Sequence, residues 1–525
     1  MPSEHQLPLW RRWSYGVGHV LNDLCASMWF SYLLVFYHFV IKFPNATAGL
    51  LLLIGQTVDA LCTPVIGYFC DKTQCFYGRR KIWHLVGTIC VAASFSFIFH
   101  VCITCEDVSV PYLVLYYACF IAVFQFGWAS TQISHLALIP DLTSNKDEQV
   151  GLNSIRYGFT VLSNLAVSLA MWQLLDHVPT AAQHAHKGHK SHANMTKINY
   201  SDRYIFWYTP LGIIGVGLLF SIIFHLGTKE PKAQYKRRED SDTKNEKPFK
   251  WYMWFKNPQF YLVAMIYMCT RLMVNVTQVY IPLYMLEVVN LDRSSVAKAT
   301  LIIYVSGFIA SFTNKYINKY LGRYITYFLG LCILWAAIFW FQFQEEAKYP
   351  TKKHVFHNLV PYGAGVLLGI SGSILLVTSL SMTADLIDRH VSSGAFVYGA
   401  MSFTDKLANG VAIQIIQLCH PCNQKNEVCC SLCHSYYRQV MVFGPAGPSA
   451  LAFVGLVLLF IYIRRATKER PTSPCQDKQE QCETDPLLES SCSSCNQIKE
   501  RCLCDFTSDE LNINKTISNS FATST

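Results

Sequence analysis

The feature that most constrains this chain is a recurrence of uninterrupted apolar runs of about twenty residues, the length a helix needs to cross a bilayer. They run Ser14–Phe39, Ala46–Cys70, Ile82–Cys102, Tyr112–His135, Leu152–Leu175 and Tyr204–Leu226. A second set follows at Pro258–Leu286, Val296–Ile317, Tyr324–Phe343, Leu359–Thr383, Ala395–Cys419 and Val440–Tyr462. Backbone groups inside a bilayer must be satisfied within the segment, so runs of this length read as helices. Charged residues make up 15% of the chain, against about 25% in soluble domains. That deficit excludes a soluble enzyme, a nucleic-acid-binding domain and a disordered scaffold. The net charge of +9 matters through its placement rather than its sum. The expectation is an all-α polytopic membrane protein with twelve transmembrane helices. No cleavable leader is expected: Arg11 and Arg12 precede the first run, but Asn22 and Asp23 interrupt it and no small-residue cleavage site follows.

Basic residues set the orientation. Arg11, Arg12, Lys72, Arg79, Arg80 and Lys81 fall on one side, with the stretch from Lys229 to Lys256, then Lys315, Lys319, Arg323, Arg464, Arg465 and Lys468. That side is expected in the cytosol together with both termini. The opposite loops carry the sequons at Asn45, Asn194 and Asn199, candidate glycosylation sites. The expected organisation is an N-terminal segment 1–13, a six-helix half 14–228, a basic linker 229–256, a second half 257–464 and a Cys/Ser-rich tail 465–525. Gly78-Arg79 after the second span is echoed by Gly322-Arg323 after the eighth, the loop that a six-helix offset selects. Pro64, Pro282 and Pro361 are expected kinks. Two six-helix halves around a midplane site are an architecture of secondary transporters.

An ionisable side chain at the centre of a span costs about 2.5–3.5 kcal/mol to insert and by default marks a substrate or ion path. His19 and Asp23 share one face of the first span at i,i+4. Asp59 lies in the second with Gln56 and Thr63 within a turn, Arg156 in the fifth, Arg271 in the seventh, and Asp405 with Lys406 in the eleventh. His135 closes the fourth near Gln132 and reads as interfacial. The bland alternative is structural ion pairs. Asp59 and Lys406, deepest in their spans, are the strongest functional candidates.

The string Gly55-Gln56-Thr57-Val58-Asp59 through Thr63-Pro64 and Gly67 to Asp71-Lys72, continuing to Gly78-Arg79-Arg80-Lys81, resembles the loop motif of major facilitators. Its form is that of the glycoside–pentoside–hexuronide:cation symporter branch. Ala384-Asp385 with Asp388, Gly394, Tyr398-Gly399 and Lys406 to Gly410 resembles that branch's signature around the tenth and eleventh helices. The resemblance implies a major facilitator fold, no enzymatic activity, no cofactor and no resident metal. It also implies a gating role for Gly67, Asp71, Gly78, Arg79, Arg80, Asp385 and Asp388. By position Asp59 matches a cation-site acid, Lys406 the eleventh-helix lysine, Asp23 a sugar-binding acid and Arg156 a fifth-helix arginine. Thr63 stands where the branch has a second acid, Asn22 where it has a lysine, and Gln132 where it has another acid. A hard cation wants several oxygens, so the loss of acids favours a single proton-binding carboxylate at Asp59, paired with Lys406 in one state.

Longer strings, Ser14 to Phe30, Phe124 to His135 and Ser393 to Gly399, resemble a vertebrate group within the superfamily. That resemblance implies import of cysteine or a related small thiol into lysosomes and melanosomes, and through it a part in pigmentation. An amino acid needs an anion partner and a cation partner: Arg156 or Arg271 for its carboxylate, Asp23 or Asp59 for its ammonium. Cys102, Cys105, Cys422, Cys429, Cys430 and Cys433 sit in non-cytosolic loops and are expected to form disulfides of undetermined pairing rather than a zinc site. Glu483 with Leu487 and Leu488 matches an acidic dileucine sorting signal for adaptor proteins. Two other functions stay open: a cation-coupled lysolipid or sugar symporter, and a non-transporting membrane sensor or scaffold. Besides the substrate and a proton, the expected surroundings are membrane lipid and no nucleic acid.

Overall fold

The computed structural model describes residues 7–102, 108–143, 145–177, 198–230, 251–343, 355–387, 394–421 and 430–468. Among these residues the secondary structure is helical, with no strand. The first six long helices are α1 Leu9–Val40, α2 Asn45–Cys70, α3 Lys81–Ile98, α4 Val110–Leu142, α5 Gly151–His177 and α6 Tyr200–Gly227. The second six begin with α7 Pro258–Val288. Then α8 (294–321) and α9 (323–343) form two arms of one stretch, broken at Gly322, where φ is 74°. The remaining three are α10 Pro361–Ile387, α11 Gly394–Leu418 and α12 Ser435–Arg465. Among the described residues, eleven helices are long and apolar enough to cross a membrane. The exception is α11, which carries Asp405, Lys406 and Asn409 along its middle. Pro64, Pro282 and Pro361 lie inside helical stretches, as do Pro140, Pro210, Pro445 and Pro448.

Position in the bundle follows from which faces each helix hides. From Val20 to Tyr37, α1 is buried on nearly every side, as is α7 from Met273 to Met285. These two are central. By contrast α6 exposes Leu211, Leu219, Ile222 and Leu226, an apolar face suited to lipid. Where helices touch most closely, small residues allow it. A Cβ on Gly87 of α3 would stand 2.6 Å from the Gly127 carbonyl of α4, so neither position admits a larger residue without separating the pair.

The two sets meet through α2 against α11, α5 against α8, and α1 against α7. Under a six-helix offset the first two pairs exchange and the third maps onto itself, which is the pattern of a two-fold between repeats. Local geometry repeats too. α1 ends in a π turn, Phe36–Val40, followed by Lys42 at φ 60°, and α7 ends in a π turn, Tyr284–Val288, followed by Asn290 at φ 56°. The bonds Ile41 N to Phe36 O and Phe43 N to Tyr37 O recur as Val289 N to Tyr284 O and Leu291 N to Met285 O.

Arg12, Arg79, Arg80, Lys81 and Thr228 cluster at one end of the bundle, here the terminal face. Contacts across the two sets run from the middle toward the opposite face. There Asp202 accepts from Arg293 at 2.5 Å, with both side chains more than nine-tenths buried. Gln278 donates to Ser31 at 3.3 Å, and the backbone of Gly49 closes on Gln414 and Gln417.

Candidate substrate and ion sites

Two polar clusters sit inside the bundle. The first joins the sets. Lys406 Nζ on α11 donates to Asp59 Oδ1 on α2 at 2.7 Å and to Thr63 Oγ1 at 2.9 Å. The Thr63 hydroxyl in turn donates to the Asp59 carbonyl at 2.8 Å. One residue back on α11, Asp405 accepts from Arg271 Nε on α7 at 3.0 Å and lies in electrostatic reach of Asp59. Two acids and two bases thus neutralise one another across three helices. Asp59, Asp405 and Lys406 are largely buried while Arg271 is partly exposed, and the buried members would be uncompensated charges without their partners.

The second cluster lies within the first set. His19 Nδ1 and Asp23 Oδ1 on α1 are 2.9 Å apart, and Thr160 on α5 donates to Asp23 Oδ2 at 2.9 Å. Asn22 Nδ2 donates to the Trp128 carbonyl on α4 at 3.1 Å, and Trp128 Nε1 donates to Gln132 Oε1 at 3.0 Å. Four buried polar atoms here make no hydrogen bond: Asn22 Oδ1, His19 Nε2, His135 Nδ1 and Arg156 Nε. Arg156 projects from α5, within electrostatic reach of Tyr15, His19 and His135. A buried unsatisfied atom costs about 1–3 kcal/mol, so four in one cluster leave hydrogen-bonding capacity that the protein itself does not fill.

The structure keeps the clusters apart: Asp23 bonds to His19 and Thr160, Asp59 to Lys406 and Thr63. It also separates the two arginines offered for a carboxylate, since Arg271 is engaged by Asp405 whereas Arg156 keeps a vacant donor. His135 is not interfacial. It is fully buried, stacked on Tyr15 at 4.3 Å between ring centroids, with Nε2 2.8 Å from the Tyr15 carbonyl.

The gating motif packs as follows. Gly78 has φ 130°, a conformation natural only to glycine. Arg79 and Arg80 both reach Asp141 Oδ2 at the end of α4, at 3.0 and 2.5 Å. Lys81 donates to the His225 and Thr228 carbonyls of α6. In the second set Gly322 is again at positive φ, and Arg323 pairs with Asp385 at the end of α10. Gly67 faces Ile133 loosely, at 3.9 Å. The Asp71 side chain lies outside the described residues, as do Asp388, Asn194, Cys105, Cys422, Cys429, Glu483, Leu487 and Leu488 and the side chains of Cys430 and Cys433.

Cys102 is disulfide-bonded, to a partner outside the described residues. Asn199 accepts from Ser201 N at 2.8 Å and caps the start of α6. Asn45 is only 5% exposed at the start of α2, so a glycan there would require that end to open. Among the described residues no group of His, Cys, Asp and Glu is arranged to hold a metal. Sequence reading did not single out Arg293 and Asp202. Both flank apolar runs at positions that read as ordinary solvated charges. Nor did it find Thr160, whose hydroxyl reaches Asp23 only because α5 packs on α1.

A bundle of long apolar helices, with a two-fold between sets and polar clusters at its centre, defines a polytopic membrane transporter. The chain belongs to the major facilitator family whose model is described as MFS/sugar transport protein and matches residues 14–463. It is 44% identical to mouse major facilitator superfamily domain-containing protein 12, over 89% of this chain and 97% of that one. An uncharacterized symporter of Synechocystis is 30% identical over 33% of this chain and 32% of its own length. Among solved structures, an inward-facing, unoccupied bacterial homologue of the human lysosomal transporter Spinster has a TM-score of 0.57 at 13% identity. That match covers 89% of this chain and all of that one. The major facilitator fold and a role in secondary transport of small molecules are therefore established.

Proposed function

We propose that the chain imports cysteine into lysosomes and melanosomes by alternating access, linked to a proton, through twelve helices arranged as two rocking halves. The carrying observation is the vacant Arg156 Nε, one turn along α5 from the Thr160 that binds Asp23, together with the bare Asn22 Oδ1. A guanidinium for the carboxylate, with an acid and an amide oxygen for the ammonium, matches a zwitterionic amino acid. Asp23 keeps acceptor capacity beyond its bonds to His19 and Thr160. The substrate itself follows from the resemblance of the Ser14–Phe30 string.

Asp59 is the proton carrier. With Lys406 bound to it the carboxylate is satisfied, and protonating Asp59 would free the lysine and uncouple α2 from α11. Breaking that strut and the Arg293–Asp202 contact turns the bundle from one access to the other, with Arg79 and Arg80 holding the first set rigid as it moves. The terminal face is cytosolic, as the positive-inside rule requires. The tail signal at Glu483, Leu487 and Leu488 directs the protein to lysosomes through adaptor proteins, and Asn194 and Asn199 carry glycans on the lumenal side. A second reading, a sugar or lysolipid symporter, is favoured by the family's description as sugar transport proteins and by the acid at Asp23.

The test is uptake of labelled cysteine into lysosomes isolated from cells expressing the chain, beside Asp59→Asn. Uptake that requires the chain and falls with the substitution supports substrate and coupling site together. No chain-dependent uptake, with the protein present in the organelle, removes cysteine and leaves the sugar or lipid reading.

A further inference from the structure

We propose that His19, held by Asp23 and neighboured by His135, forms a second proton-binding site, separate from Asp59, that fills when an anionic group neutralises Arg156. The anion is the substrate carboxylate of the reading above, on which this link rests.

The tautomers follow from the bonds. A backbone carbonyl only accepts, so His135 Nε2 carries the hydrogen it gives to Tyr15 O, and the neutral ring's lone pair is on Nδ1. His19 Nδ1 faces the Asp23 carboxylate and donates to it, which puts the His19 lone pair on Nε2. Both lone-pair nitrogens are buried without a partner, on rings whose centroids are 5.8 Å apart. A proton taken up on His19 Nε2 gives an imidazolium whose charge is countered at Nδ1 by Asp23. No other bond changes, and the proton comes from water.

The charged and titratable groups around His19 are Tyr15, Asp23 and Cys25 on its own helix, His84 on α3, His135 on α4 and Arg156 on α5. Asp23 favours the imidazolium and Arg156 opposes it. A carboxylate laid against Arg156 cancels the opposition, so anion binding and proton uptake reinforce one another through space.

A string of hydrogen bonds also leads inward from the terminal face. His84 Nε2 donates to the Gly18 carbonyl at 2.9 Å, so its Nδ1 accepts from His225 Nε2 at 3.1 Å. His225 Nδ1 then accepts from Tyr77 at 3.0 Å. This string runs from the α2–α3 loop to Gly18, whose backbone packs against the His135 ring so closely that a Cβ would stand 2.8 Å from it. Lys81 is the charge beside this string at its outer end.

The experiment is hydrogen exchange at the imidazole carbon of each histidine, followed by mass spectrometry across pH 4–9 on the purified full chain in lipid nanodiscs. His19 is expected to show one titration. Arg156→Gln moves its midpoint to higher pH by about one unit, the scale of a nearby charge in a partly buried site. Asp23→Asn moves it lower, and Asp59→Asn leaves it in place. Added L-cysteine reproduces the Arg156→Gln shift in the wild type. No titration of His19, or a midpoint indifferent to both Arg156→Gln and Asp23→Asn, overturns the site. A midpoint that responds to Arg156→Gln but not to L-cysteine upholds the site and rejects cysteine as the anion.

Discussion

The two polar clusters obey opposite rules. Around Asp59 and Lys406 every charge has a partner, the partners come from both sets of helices, and the whole is neutral. Around Asp23 and Arg156 the groups all come from the first set, and four buried atoms are left without hydrogen bonds. A fully satisfied cluster that bridges two bodies is a strut whose value changes when the bodies move. An under-satisfied cluster inside one body is a pocket whose value changes when something enters. On the proposed reading the strut turns the bundle, while the Asp23–Arg156 cluster recognises the substrate and ties a proton to it through His19, and mutations can separate the two.

The largest effect is expected at the strut. Lys406→Ala leaves Asp59 and Asp405 with a single base between them, and removing one partner of a buried pair costs about 3–5 kcal/mol. Thermal unfolding of the purified protein should show it, and Asp59→Asn combined with Lys406→Gln should recover most of the stability. If Lys406→Ala is as stable as wild type, the pair is no strut. At the pocket the split runs the other way. Arg156→Gln should cut cysteine uptake at least tenfold with little change in unfolding temperature, because its Nε gives up no bond. Stability loss without a transport defect would erase the distinction.

The paired glycine-arginine turns sharpen the comparison between sets. Arg79 and Arg80 together hold one half-buried carboxylate, Asp141, while Arg323 and Asp385 are 41% and 52% exposed. Exposed pairs contribute about 0–1 kcal/mol. Arg80→Ala should therefore destabilise by more than Arg323→Ala, about 1–2 kcal/mol against a few tenths, read from denaturation in detergent.

The smallest effect is at the chain's start. Glu148 is desolvated, which alone would raise its pKa. Hydrogen bonds from Thr143, the Leu7 amide and Arg12 outweigh that and hold the carboxyl below its ordinary value. A lowered pKa gives stability that is present above the unfolded value and lost as pH falls through the folded one. Docking of the first helical turns should thus be unchanged from pH 8 to pH 5 and loosen below about pH 4.5, the ordinary range for a glutamate. Backbone hydrogen exchange over the first helical turns, corrected for the intrinsic pH dependence, measures it.

The fold was largely legible in the sequence because apolar length is a direct consequence of bilayer thickness. Even α11, too polar to qualify as a span by composition, was visible as a run from Ala395 to Cys419. Asp59 and Lys406 were legible as functional candidates because both stand deep in their spans, and their pairing was implied by the resemblance to the symporter branch. The division into two clusters was not. Whether Arg156 or Arg271 is the vacant arginine depends on which helix packs beside each, and nothing local in either span encodes that. His135 was misplaced for a related reason: it ends an apolar run, but α4 continues to Leu142 and carries it inside. The repeated π turns at Phe36 and Tyr284 were also hidden. Backbone geometry repeats there while the side chains do not.

The most direct test of the division compares two modes of transport in proteoliposomes: accumulation of labelled cysteine driven by a pH gradient, and exchange at equal cysteine and pH on both sides. Asp59→Asn should sharply reduce gradient-driven accumulation and retain exchange, since recognition is intact and the strut's share of the coupling is lost. Arg156→Gln should lose both. Exchange lost in Asp59→Asn but preserved in Arg156→Gln would contradict the account, by placing recognition at the strut and leaving the pocket around Asp23 without a role.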